Sequence, residues 1–133
     1  MKKGVFVFIL LFVFTASVLI SCAPKEQTIF QLLDINIDQV DRVELVNGDT
    51  FQKTEITNQA DINKIVTICD AVKLKFSKKG MASGTQVNIA FYHGEQELGL
   101  FAPCEEIAKA KGNTYTITSG SYDLDTLIAM MGE

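Results

Sequence analysis

The chain has 133 residues, a formal net charge of −4, three cysteines, one histidine and no tryptophan. That length suits one domain with one core, and the mildly acidic balance argues against a nucleic-acid partner, which would need a basic face. It equally disfavours a wide electrostatic contact with anionic lipids.

Lys2 and Lys3 open the chain, and the stretch from Val5 to Ile20 carries no charge. A basic start, an apolar run and a small residue before a cut are the order of a secretory signal. A membrane-spanning helix, the alternative, needs about 20 apolar residues; this run is shorter, and Thr15 and Ser17 dilute it. Its end, Leu19-Ile20-Ser21-Cys22, resembles the lipobox of bacterial lipoproteins, in which a peptidase cuts before the cysteine and the thiol receives a diacylglycerol. The resemblance implies a signal peptide over 1–21 and lipidation at Cys22. It also implies a protein held on the extracytoplasmic face of the cell membrane. Ala23, not aspartate, follows the cysteine, which in a diderm source permits the outer membrane. Two acyl chains suffice for stable anchoring, at about 0.8 kcal/mol per buried methylene.

Processing before Cys22 leaves 112 residues, and the loss of Lys2 and Lys3 takes the net charge from −4 to −6. The segment 22–33 is expected to hold the lipidated cysteine, a polar spacer (Ala23 to Thr28) and an arm. Ile29, Phe30, Leu32 and Leu33 in that arm suit a short helix or an extended segment equally.

A single α+β domain is expected over 34–133. Val43 and Leu45 alternate with polar neighbours as in a half-buried strand, and Asn47-Gly48 predicts a tight hairpin into a second strand from Thr50 to Ile56. Asn58 and Asp61 form a capping pair ahead of Ile62, Ile65, Val66, Cys69 and Val72, which keep helical spacing over about three turns. The period then becomes that of a strand at Val72, Leu74 and Phe76, and Lys78 to Gly84 breaks it as a loop. Further strands are expected around Val87, Ile89 and Phe91, around Leu98 and Leu100 (ended by Pro103), around Ile107, and around Tyr115 and Ile117. Ser121 is expected to cap a closing helix with Leu124, Leu127, Ile128 and Met131 on one face. The prediction is an antiparallel sheet of about six or seven strands with two amphipathic helices packed on one face, and with Ile65 and Phe76 in the core. This order resembles small lipoproteins of Gram-positive bacteria, which share a strand-Asn-Gly-strand hairpin followed by an isoleucine-rich helix. That resemblance brings no catalytic residues.

Candidate chemistry is sparse. Cys69 and Cys104 can pair in an oxidising compartment or pack separately as small apolar residues. A catalytic thiol would need an adjacent base, and the sole histidine, His93, falls in a turn. Asp34-Ile35-Asn36-Ile37-Asp38 opens like a calcium loop, but Gln39 and Leu45 stand where glycine and glutamate are required. Glu105-Glu106 and the Asp123/Asp125 pair lack the facing geometry of acid–base carboxylates. No metal site and no cofactor is therefore expected. Lys73, Lys75, Lys78 and Lys79 are the one basic concentration, with Met81 beyond them at the loop tip. They are the candidate contact for an envelope protein or an anionic polymer; as a solvated face they would simply blunt a strand edge. The expected function is a non-catalytic interaction or ligand-binding module held at the membrane through Cys22. The alternatives are an envelope hydrolase using acidic residues, or an inhibitor or immunity-type lipoprotein acting through the Lys78 to Gly84 loop.

Overall fold

The computed structural model describes residues 25–79 and 85–132. The signal peptide, Cys22 and the loop tip with Met81 lie outside the described residues. Among the described residues the architecture is α+β: a seven-stranded, wholly antiparallel sheet with three α-helices. The strands are β1 (Arg42–Asn47), β2 (Lys53–Ile56), β3 (Lys73–Lys79), β4 (Val87–His93), β5 (Gln96–Pro103), β6 (Ile107–Ala110) and β7 (Asn113–Ser119). Their order across the sheet is β2-β1-β4-β5-β6-β7-β3. The tight turns make β4 to β7 a meander, whereas β2 and β3, consecutive in sequence, occupy the two opposite edges.

The arm is helical, as α1 (Ile29–Leu33). Five residues make a marginal helix alone, and local chemistry secures this one. The Thr28 hydroxyl accepts from Gln31 N–H (3.3 Å), and the Gln31 side-chain oxygen accepts from Thr28 N–H (3.0 Å). Ile29, Phe30 and Leu33 are thereby buried as part of the core. The middle helix, α2 (Gln59–Asp70), begins where expected, with the Asn58 side chain accepting from Ala60 N–H and Asp61 N–H. It buries Ile62, Ile65 and Cys69.

Register aligns the inward side chains. Phe91 on β4 stands opposite Val43 on β1, and Ile89 stands between Leu45 and Phe101. The Phe91 ring lies 5.0 Å from that of Phe30 and 6.0 Å from that of Phe101, which joins helix to sheet. The buried residues of all three helices belong to this same cluster.

Four local expectations need correction. Asn47-Gly48 does not make a two-residue turn, because β2 starts only at Lys53. Instead Asn47 Oδ1 accepts from Asp49 and Thr50 N–H (2.8 and 2.9 Å), and Phe51 takes the left-handed backbone, at φ 58°. The closing helix, α3 (Leu124–Met130), is capped by Asp123 and not Ser121. Asp123 accepts from Thr126 N–H (3.1 Å) and from its hydroxyl (2.7 Å), and these two bonds hold its carboxyl below the usual range. The loop expected from Lys78 starts later, because Lys78 and Lys79 belong to β3, opposite Thr114 and Asn113 of β7. The expected strand around Leu98 and Leu100 is β5; on it Leu100 faces outward at 48 % exposure, and Gly99 and Phe101 lie across from the inward Phe91 and Ile89. A side chain at Gly99 would crowd Leu33 and Ile35, so the glycine leaves room for α1 and the segment after it.

Phe76 is the fourth correction: it is not a core residue but 45 % exposed. Its strand is the sheet's edge, with β7 as its one ladder partner, and the register slips between Phe76 and Lys78. The ring leans edge-on against Tyr115, 5.9 Å away, without being enclosed.

Candidate functional site

The β3 edge carries the predicted lysines, and the fold divides them. Lys73 and Lys75 are both exposed, on either side of the buried Leu74. Lys75 stands opposite Thr116 of β7. Lys73, by contrast, lines an open groove of about 700 Å³ whose other charges are acidic: Asp34, Asp38 and Asp70. It therefore sits in a mixed-charge setting and not a basic one. Lys78 and Lys79 continue the strand opposite Thr114 and Asn113.

The outer side of this strand is occupied at one point. Gln27 and Leu74 exchange both backbone hydrogen bonds (2.9 and 2.8 Å) in an isolated antiparallel bridge. The polar spacer thus meets the domain on the edge that carries the lysines.

In the segment that resembles a calcium loop, Asp34 and Asn36 serve turn geometry and Ile35 packs into the core. Asp34 closes α1 in the left-handed conformation, at φ 55°, and Asn36 accepts from Asp38 N–H (3.1 Å) to start a 3₁₀ turn at Ile37–Gln39. Among the described residues, no three His, Cys, Asp or Glu side chains gather closely enough to hold a metal ion.

Cys69 and Cys104 are both free thiols, so the pairing alternative is not realised in this structure. Burial pushes both thiols up from their ordinary range, and Asp70 adds to the effect at Cys69. A thiolate nucleophile needs the opposite shift. Burial likewise pushes the Tyr122 hydroxyl up. That hydroxyl is buried with no hydrogen-bond partner among the described residues, and its ring lies 5.7 Å from Phe101. A buried, unpaired hydroxyl loses its water contacts without replacement. Tyr122→Phe is therefore expected to leave the melting temperature unchanged or to raise it; a fall in a thermal melt would show that the hydroxyl has a stabilising partner.

Two further clusters were not anticipated. His93 Nδ1 lies 2.9 Å from Gln39 O and 3.1 Å from Asp41 Oδ2, while the Asp41 carboxylate accepts from Gly94 N–H. Beside it Arg42 spans Glu55 (3.2 Å), Gly94 O (3.1 Å) and the face of Tyr92 (4.1 Å to the ring centre). Together these contacts fasten the β4–β5 turn to the chain entering β1. Pairing across strands is the signal a single sequence lacks, since Asp41 and His93 are 52 positions apart. Glu105 and Glu106 stand in the β5–β6 turn, where with Gln86, Cys104 and Leu124 they line a cavity of about 320 Å³.

Compared with protein families, curated proteins and solved structures, the chain matches none.

Proposed function

We propose that the protein is an extracytoplasmic lipoprotein, anchored through a diacylglyceryl group on Cys22, whose α+β domain serves as a non-catalytic interaction module of the cell envelope. The observation that carries this reading is Leu19-Ile20-Ser21-Cys22 at the end of an uncharged run that follows two lysines. A spacer of only a few polar residues before Gln27 fits it, since the domain needs no long linker to sit beside a membrane. Among the described residues, no helix is long and apolar enough to cross a membrane. The partner is an envelope protein or an anionic polymer met by the Lys78–Lys79 end of β3. Charges of this kind set orientation and on-rate more than affinity, and their reach ends at about 8 Å in physiological salt.

The test is metabolic labelling with an alkyne fatty acid in a bacterial host. The parent chain is expected to take the label and to be shortened before residue 22. Cys22→Ser is expected to take none and to accumulate at precursor size. A labelled Cys22→Ser variant, or an unlabelled parent, would sink the lipoprotein reading.

A further inference from the structure

Among the described residues, three large apolar side chains stand exposed: Phe51 (74 %), Leu100 (48 %) and Phe76 (45 %). Exposure alone gives none of them a role, since scattered apolar residues are normal on protein surfaces. Phe76 differs in its position relative to the tether. Gln27 bridges Leu74 in antiparallel sense, so the chain read backwards from Gln27, through Glu26 and Lys25, heads toward Lys75 and Phe76. Five residue steps separate Gln27 from Cys22, and an extended chain covers them in at most about 18 Å. Phe76 lies two positions beyond Leu74 on the same strand, about 7 Å along it.

We infer that the Lys75–Phe76 end of β3 is the part of the domain turned to the bilayer, with the Phe76 ring seated at the level of the lipid headgroups. This rests on the lipid-anchor reading and goes beyond it by orienting the domain. The chemistry of the edge suits an interface that is apolar on one side and wet on the other. Phe76 offers a ring supported edge-on by Tyr115, and Lys75, its neighbour, offers an exposed cation to phosphate. Aromatic rings and long cationic side chains are the groups that settle at this depth. The processed chain as a whole carries a net charge of −6 and is repelled by an anionic bilayer, which leaves the tethered edge as the favoured approach. Phe51 is the natural contrast. It sits in the turn before β2, at the opposite edge of the sheet from β3.

The absence of tryptophan makes the test direct. The full chain is produced in a bacterial host as Phe76→Trp and as Phe51→Trp, and intact mass reports whether Cys22 carries its lipid. Each protein is then placed in phosphatidylethanolamine–phosphatidylglycerol vesicles with plain or brominated acyl chains. The expected result is emission at shorter wavelength and strong bromolipid quenching for the tryptophan at 76, with neither at 51. Hydrogen exchange of the parent protein supplies a readout free of substitution: amides of β3 near Phe76 are expected to gain protection in vesicles over detergent, and those around Phe51 to gain none. A lipidated protein whose residue 76 is unquenched, or quenched no more than residue 51, would overturn the orientation and leave the anchor standing. A mass without lipid would remove the anchor and this inference together.

Discussion

Phe91→Ala is expected to cost about 3–5 kcal/mol, at the upper end for a single truncation in a core. Phe91 is fully buried, at 0 % exposure, on β4, an interior strand of the sheet. It contacts Phe30 of α1 and Phe101 of β5, so one ring ties the N-terminal helix to the sheet. Removing it leaves a cavity bordered on both flanks by ladders that cannot close without breaking hydrogen bonds. A domain of this size has about 5–15 kcal/mol in total, so the variant should unfold at much lower denaturant with an unchanged slope. Phe76→Ala is the internal control. With 45 % of that residue exposed and a single ring partner, its loss should be far smaller. Equal midpoints for the two variants would mean that Phe91 does not occupy the position described.

The contrast between these two phenylalanines shows where local pattern stops being informative. Both stand in runs that alternate at period two, and periodicity alone predicts burial for both. What separates them is strand order, which depends on partners far away in sequence. Local signals are sufficient for α2, where Asn58 caps a run of apolar residues at helical spacing, and for the meander β4 to β7, whose turns are short. They say nothing of the pairing between β1 and β4, or between β3 and β7, each of which brings together segments about 40 positions apart. The edge position of β3, and with it the exposure of Phe76, follows from those pairings.

The same reasoning applies to the candidate site. The lysines are plain in the sequence, and their alternation with Leu74 correctly predicts that Lys73 and Lys75 are exposed. The acidic company of Lys73 is not foreseeable, because Asp34 and Asp38 reach the groove from before β1 and Asp70 reaches it from the end of α2. Nor is the Gln27 bridge, which has no side-chain signature: it is made by backbone alone. That bridge does two things at once. It covers part of an edge that would otherwise offer free backbone groups for strand addition, and it sets the direction from which any tether must arrive.

Gly48 illustrates a residue whose type is legible and whose reason is not. As half of an Asn-Gly pair it reads as a hairpin glycine chosen for positive φ, yet the positive φ in this turn belongs to Phe51. Gly48 is needed because a Cβ there would fall on the carbonyl oxygen of Thr85, while its own N–H donates to Gln86 O at 2.8 Å. Both neighbours are backbone, so no flexible side chain can swing aside. Gly48→Ala must therefore push the β1–β2 turn away from the segment entering β4 and break the Gly48–Gln86 bond. Overpacking typically costs about 1–3 kcal/mol and occasionally more; a direct clash with a carbonyl should fall at or above the top of that range. Gly94→Ala and Gly112→Ala provide the comparison. Each has open space around the new Cβ and suffers only the left-handed backbone, at φ 58° and 70°, a penalty of about 1–2 kcal/mol. Chemical denaturation of the three variants should rank Gly48→Ala as clearly the least stable. If it melted with the other two, the close approach of Thr85 to Gly48 would be wrong.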